Sequence, residues 1–387
     1  MKRALALMTV AALMLAACSR SGVPFGQARL TVARGAKVTV TRAGHAAEAV
    51  TGSLTVHTGD RVKVTGGTAS MALPGRATLE LRGPRAGRAG SEVRLAAAPT
   101  LLAGDVLVQR DQGSLTLAAG GSEVTIRDGA ARVSRDPSIT AAAYAGEAML
   151  KTTGRTLAVP AFRQATIAVL GVLPGRPSPL ALDATDPWDN RFLGLAIDLS
   201  QELQQDSDGF SSNLASGSGR SVGFFKQVLP ALADQPAFQP DLIDQARQPG
   251  ETLVGAAIAL TGVRGDFTSR WSSVFSFRND GAAWGLVALD QAVTDAPRLS
   301  TTVQAALGRA TFGPATLGST QSAAPPPGGS TPTTSGGGGG GGTTTTRPSG
   351  PPPTTPTTGP VPKPPVTTPG DPVVNPVIDA INNLLGG

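Results

Sequence analysis

SLTVHTGDRVKVTGGTASMALPGRATLELRGPR, residues 53–85, alternates apolar and polar residues between glycine-centred turns. Leu54 and Val56, Val62 and Val64, and Leu79 and Leu81 recur at every second position. That is the period of a strand with one face buried. The texture extends to both sides. ARLTVARG and AKVTVTR precede the stretch, and SEVRLAA, DVLVQRD, SLTLAAGG and SEVTIRDG follow it. Turn residues return roughly every 8 to 12 positions, the spacing of a sandwich, roll or solenoid of short strands. An all-β domain is therefore expected over residues 28–175. Within it, SEVTIRDGAARVSR reads as a hairpin. Asp128-Gly129 supplies the tight primed turn, and Val124 and Ile126 face inward across from Val133.

The opening stretch resembles the start of a FecR-like domain. That family commonly shows a Gly-Asp turn, a short strand, a small-residue run, and a strand after a glycine. Gly59-Asp60, Thr68-Ala69-Ser70-Met71, Leu73, Gly75 and Leu79-Glu80-Leu81 stand in those places. Gly104-Asp105 in LLAGDVLVQ matches the next strand turn, and EVTIRDGAARVSR with AYAGEAMLKTTGRTLAVPAFRQATI resembles the terminal strands. The similarity covers a third of the chain. It implies a non-catalytic, solenoid-like β-domain that recognises something outside the membrane. The family's best-known members join a cytoplasmic anti-sigma segment, one transmembrane helix and an outer β-rich domain. Here only residues 1–17 precede Cys18, and no apolar span of about 20 residues follows it. Direct anti-sigma activity is not expected.

Met1-Lys2-Arg3 leads into 14 uncharged residues, positions 4–17. The run is short for a bilayer span and suits a secretory signal. An ordinary signal peptidase favours small residues at −1 and −3, yet Leu15 would occupy −3. Leu15-Ala16-Ala17-Cys18 instead resembles a bacterial lipobox, which implies a signal peptide of residues 1–17 and a thioether from Cys18 to diacylglycerol. The alternative is a secreted chain with an incidental cysteine. Cys18 is the sole cysteine, so once lipidated it leaves no thiol for disulfides, cysteine nucleophiles or thiolate metal sites.

The 387 residues are 40% apolar but only 4% aromatic, and carry a net charge of +6. That total hides an asymmetry. Residues 20–180 hold 20 basic and 10 acidic side chains, whereas residues 181–318 hold 9 basic and 15 acidic. Either the two halves lie against one another, or the basic half faces anionic headgroups or wall polymers beside its anchor. The basic residues lack the aromatic interleaving of a nucleic-acid platform, so nucleic acid is not an expected partner.

The acidic half, residues 181–318, reads as a small all-α bundle. Asp186-Pro187 is a helix start, with Phe192, Leu195, Ala196, Leu199 and Leu203 forming one buried face. Further helices are expected at 222–233, 240–246, 251–261, 266–277, 282–293 and 299–307. Trp188, Trp271 and Trp284 read as core or contact residues. Residues 319–372, rich in Pro, Thr and Gly, are expected to be disordered. In residues 373–387, Asn375-Pro376 can start a short amphipathic helix. Its stripe of Val377, Ile378, Ile381, Leu384 and Leu385 is a candidate partner-binding face.

His45 and His57 are the only histidines, both are read as strand residues, and neither keeps metal-ligand spacing. No Walker loop or G-x-S-x-G elbow occurs. Asp183, Asp186 and Asp189 could pair as glycosidase acids, but carboxylates before a helix usually cap it. No catalytic residue, cofactor or metal is expected. The leading expectation is a multidomain α and β lipoprotein, extracytoplasmic and held at the cell membrane through Cys18. There it binds, senses or scaffolds beside an envelope protein or cell-wall polymer. The alternatives are an envelope hydrolase with its site between the halves, and an accessory regulator of a separate transmembrane signalling protein.

Overall fold

The computed structural model describes residues 23–168, 171–214 and 220–311. The expected signal segment with Cys18, the expected disordered segment 319–372 and the helix expected at 373–387 all lie outside the described residues. A 14-stranded antiparallel sheet comes first, and helices follow. The strands are β1 (Gln27–Val32), β2 (Lys37–Thr41), β3 (Ala47–Val50), β4 (Ser53–His57), β5 (Arg61–Gly66), β6 (Thr68–Leu73) and β7 (Ala77–Arg82), then β8 (Glu92–Arg94). Three long strands come next, β9 (Thr100–Ala119), β10 (Ser122–Asp136) and β11 (Ser138–Thr152), before β12 (Arg155–Pro160), β13 (Arg163–Ile167) and β14 (Ser178–Pro179). One path through the sheet runs β14-β13-β11-β10-β9-β7-β6-β1-β4. A second, β3-β2-β5-β8, joins it at β9. Alternating residues from both paths enter one core, including Leu30, Val40, Val62, Leu79, Val93, Val108 and Ile126. The sheet therefore curls around its own apolar face, and every named pair in it is antiparallel.

The expected 122–135 hairpin does not form. Ser122–Asp136 is one continuous strand, paired with β9 on one side and β11 on the other. Val124 and Ile126 do point into the core, but they lie opposite Leu117 and Leu115 of β9, not Val133. Asp128 does take a positive φ, +47°, yet it makes a bulge where a turn was expected. The register shifts there on both sides. Gly113 of β9 donates its N–H to Asp128 Oδ1 at 2.6 Å, and Gly146 of β11 has φ +66° opposite the bulge. Irregularities on three neighbouring strands fall on one line, and bulges bend strands. The two halves of β9, which the sequence reads as separate short strands, are thus a single strand passing this corner.

Six α-helices follow among the described residues: α1 (Pro187–Asn213), α2 (Val222–Val228), α3 (Pro249–Thr261), α4 (Phe267–Asn279), α5 (Trp284–Asp290) and α6 (Ala296–Thr311). Asp186 caps α1 with Pro187 in the first turn. Its buried stripe is Trp188, Leu193, Ala196, Leu199, Leu203 and Phe210. Leu195, expected inside, is 53% exposed. The face is set by where Gly250 and Gly285 let the backbones of α3 and α5 approach; a Cβ on either would collide with the carbonyl of Ser207 or Ala196. Residues 240–246 hold only a single 3-10 turn, Pro240–Leu242, and Pro230, lacking an N–H, stops the 222–233 helix after Val228.

The helices are not a separate body. Leu107, Ala130, Ala142 and Tyr144, on the outer face of β9–β11, share one apolar cluster with Trp188, Leu193 and Trp284. Sheet and helices belong to one compact unit ending at Gly313. Both faces of β9–β11 are covered, one by the sheet's own curl and one by helices.

Gly129→Ala should test the corner, because its Cβ would lie 2.1 Å from Ala145 O. Urea unfolding should show a loss of about 2–3 kcal/mol. Gly209→Ala, exposed in α1 with open space around it, should gain about 0.5–1 kcal/mol. Equal effects at the two sites would remove the corner from the account.

Candidate functional site

Asp186 is the residue on which sheet and helices meet. It is 1% exposed and caps α1 by accepting the Trp188 N–H at 2.9 Å. The same carboxylate accepts from Arg82 Nη1 at 2.9 and 3.0 Å and from Arg132 Nη1 at 2.9 Å. It also pairs with Arg85 Nη1 at 2.5 Å. The three arginines come from the end of β7, from β10, and from the loop after β7.

Each arginine reaches a second partner. Arg82 Nη2 donates to Asp105 of β9 at 2.5 Å, and its guanidinium lies over the Trp188 ring at 3.8 Å. Trp188 Nε1 donates to Glu80 Oε1 at 2.7 Å, and Arg191 holds the other Glu80 oxygen at 2.8 Å. Arg132 spans from Asp186 to Asp189, at 2.8 Å from Asp189 Oδ1. Tyr144 OH donates to that oxygen at 2.5 Å, and the Asp183 N–H donates to Asp189 Oδ2 at 2.9 Å. The Tyr144 ring stacks on Phe192 of α1 with centroids 4.8 Å apart. Arg85 and Arg88 extend the set to Asp183 and Asp105. Five guanidinium groups thus meet five carboxylates. A second clamp lies apart from this set. Arg163 of β13 pairs with Asp290 at 3.0 Å and covers the Phe277 ring at 4.0 Å.

Burial and pairing oppose each other here. Burial alone would raise the Asp105 and Asp186 pKa values. For Asp105 the hydrogen bonds from Arg82 and Ser134 and the neighbouring guanidinium charges prevail, and the net shift is downward. For Asp186 the Trp188 N–H, Arg82 and Arg132 likewise bring the net shift down. Burial wins at Asp189, whose pKa is raised despite Arg132 and Tyr144. Burial also pushes the Tyr144 phenol well up, with the neighbouring Asp189 adding to it and Arg132 opposing. Tyr144 therefore stays a neutral donor.

Beside this set an open groove of about 540 Å³ runs between the Gly66-Gly67 turn and the start of α1, with Arg82, Arg85, Glu80 and Trp188 in its wall. The sequence-predicted residues fall as follows. Asp183, Asp186 and Asp189 come together, as a cap and ion-pair partners. His45 lies in the exposed bend between β2 and β3, not in a strand, because the chain reverses at Gly44, φ +75°. His57 ends β4 with its side chain exposed, and neither histidine lines the groove. Trp188, Trp271 and Trp284 are buried. Cys18 and the stripe Val377, Ile378, Ile381, Leu384 and Leu385 lie outside the described residues. Among the described residues, no group of three or more His, Cys, Asp or Glu could hold a metal ion, and no helix is long and apolar enough to cross a membrane.

Sequence reasoning missed Arg82, Arg85, Arg132, Asp105 and Tyr144. One signal existed. The sole tyrosine sits inside the run AAAYAG of β11, where no strand alternation explains it.

No family model matches the chain, and no curated protein matches it. Two crystal structures of a protein from Parabacteroides distasonis described as an anti-sigma factor are similar to part of it. Both are 11% identical, with TM-scores of 0.24 and 0.25, covering 28% and 30% of this chain. The matches span 55% and 58% of those chains, somewhat over half their length.

Asp186→Ala should cost about 3–5 kcal/mol, because it leaves buried guanidinium groups unpaired. Asp186→Asn isolates the titration. A depressed pKa gives stability that is full above the unfolded carboxyl value, about 3.9, and is lost as pH falls through the folded one. The Asn variant should therefore be less stable at pH 7 and lose less on going to pH 3 than the parent. Asp189→Asn should do the reverse to the acid slope, since its raised pKa adds stability at low pH. Parallel urea curves for all three proteins at both pH values would refute the assignment.

Proposed function

We propose that this chain is a lipid-anchored, extracytoplasmic protein whose FecR-like β-rich domain and docked helices bind, sense or scaffold at the bacterial cell envelope, without catalysing a reaction. The observation that carries the non-catalytic reading is the commitment of the buried charges. Every carboxylate of the junction is matched by arginine, a backbone N–H or the neutral Tyr144. A hydrolytic site wants a base poised beside a reacting bond; these groups instead hold two layers together. The strand-turn-strand order of β5 to β7, with the Gly59-Asp60 turn before it, supports the FecR-like reading. The lipobox-like Leu15-Ala16-Ala17-Cys18 supports the anchor, through acyl chains that each contribute about 0.8 kcal/mol per buried CH₂.

Detergent-phase partition of cell envelopes tests this reading. The parent chain should enter the detergent phase, with diacylglycerol on its N-terminal Cys18 by mass spectrometry. Cys18→Ser should abolish the lipid and shift the chain to the aqueous phase by more than about tenfold. Equal partition of the two, or an unmodified Cys18, would sink it.

A further inference from the structure

We infer that the fold carries a second membrane contact, a patch formed by Phe25 and the basic outer face of β2, β5 and β8, which docks on anionic phospholipid headgroups. It deepens the envelope-anchored reading above and rests on it for the site of action.

Phe25 is 96% exposed, and it does not dangle. The Gln27 N–H donates to Pro24 O at 3.3 Å, and Gly26 has φ +77°, so Phe25 rides on a closed turn just before β1. Gly26 O in turn accepts from the Thr58 N–H at 2.9 Å and from Thr58 Oγ1 at 3.1 Å. A single exposed apolar residue is ordinary; this one is fastened to a particular corner.

That corner is where the cationic strands begin and end. Three residues after Thr58, Arg61 opens β5. The Gly59 N–H donates to Leu95 O and the Leu95 N–H to Asp60 O, both at 2.8 Å, which brings the end of β8 to the same place. Arg61 lies opposite Thr41 of β2 and Arg94 of β8. On this outer face Lys37, Arg61, Lys63 and Arg94 are exposed. Glu92 is the one carboxylate of β2, β5 and β8. It takes both Arg61, at 3.2 Å, and Lys63, at 3.4 Å. The face keeps an excess of positive charge.

Geometry favours a bilayer over a soluble polymer. From Cys18 to Phe25 the chain spans seven residues, at most about 25 Å when extended. An acyl group on Cys18 would hold Phe25 and the corner against the headgroup layer. An aromatic side chain flanked by cations suits that layer, where the ring meets acyl chains and the cations meet phosphates. An anionic wall polymer would use the cations and leave Phe25 idle.

The test uses the full mature chain, residues 18–387, lipid-free through Cys18→Ser, with vesicles of phosphatidylcholine containing 30 mol% phosphatidylglycerol. Binding to these vesicles and not to pure phosphatidylcholine is expected, and it should weaken with salt. Arg61→Ser and Arg94→Ser should each weaken it about fivefold. Phe25→Ser should weaken vesicle binding but leave binding to soluble polyphosphate unchanged. The double variant R127S/R155S, on β10 and β12, should bind as the parent does, and unchanged melting curves would show that all variants fold. Absence of vesicle binding overturns the proposal, as does equal loss in the R127S/R155S control. Indifference to Phe25→Ser, with polyphosphate bound as tightly, would assign the face to a polymer and overturn the lipid assignment. Detergent partition of the lipidated chain reads the anchor separately, so either idea can fail alone.

Discussion

A buried aspartate that caps a helix can also be the point at which a sheet grips that helix. Asp186 does both. Its carboxylate receives the Trp188 N–H, which orients α1, and guanidinium groups of Arg82, Arg85 and Arg132, which fix α1 to the sheet. Taking such charges out of water costs several kcal/mol per ion, and the cost is recovered only with close geometry and complete pairing. The junction comes close to that condition: Asp105, Asp183 and Asp189 answer the remaining arginine valence, and of its charged side chains only Arg82 leaves a buried nitrogen, Nε, without a hydrogen-bond partner. Pairing of this kind adds register more than stability. A helix end that must accept three guanidinium groups from three segments has few ways to sit, whereas an apolar face alone would tolerate sliding.

That register explains why the helices and the sheet make one unit. Leu107, Ala130, Ala142 and Tyr144 project from the side of β9–β11 opposite to Val106, Val108, Ala131 and Ala141. The latter set fills the curl of the sheet, and the former is apolar surface that must be covered. The bend at Asp128 and Gly146 belongs to the same solution. It lets β9, β10 and β11 run on past the corner, so a single strand lies under the helices and also contributes to the rest of the sheet. Two hairpins with tight turns, as the Asp-Gly pair suggests in isolation, would have ended the strands there.

Much of this organisation was legible in the amino-acid order, and the reasons it was legible also mark the limits. Period-two alternation in ARLTV, KVTVT and TLELR is local, so the strands were visible with their buried faces. The Asp186-Pro187 cap was visible because its partners lie within two residues. The charge asymmetry between the halves was visible as a sum, and the ion pairs of Arg82, Arg132 and Arg163 are its physical form. What escaped was everything decided at long range. Nothing near Asp128 says that Gly113 and Gly146 will stand opposite it, and without them Asp-Gly reads as a turn. Leu195 obeys helical spacing as well as Leu193 does, and only the approach of α3 and α5 decides which is buried. Strand β9 carries a local mark of its surroundings: DVLV is continuously apolar after its aspartate, as in a strand covered on both faces.

The two charged regions of the β-sheet differ in a way that separates structure from interaction. At the junction, cations and anions match in number, and its centre of Arg82, Arg132, Asp105, Asp186 and Asp189 is buried or nearly so, so the field it projects outward is small and short-ranged. On the β2–β5–β8 face, Lys37 and Arg94 have no ion-pair partner among the described residues, while Arg61 and Lys63 share one carboxylate, and their side chains are half exposed. Unneutralised charge of this kind costs little in water and acts over about a Debye length, roughly 8–10 Å at cellular ionic strength. A protein with no further use for that charge could have paired it, as it paired Arg82. Its retention beside Phe25, almost fully exposed and seven residues along the chain from Cys18, is therefore better explained by a surface that it meets than by the folding of the chain.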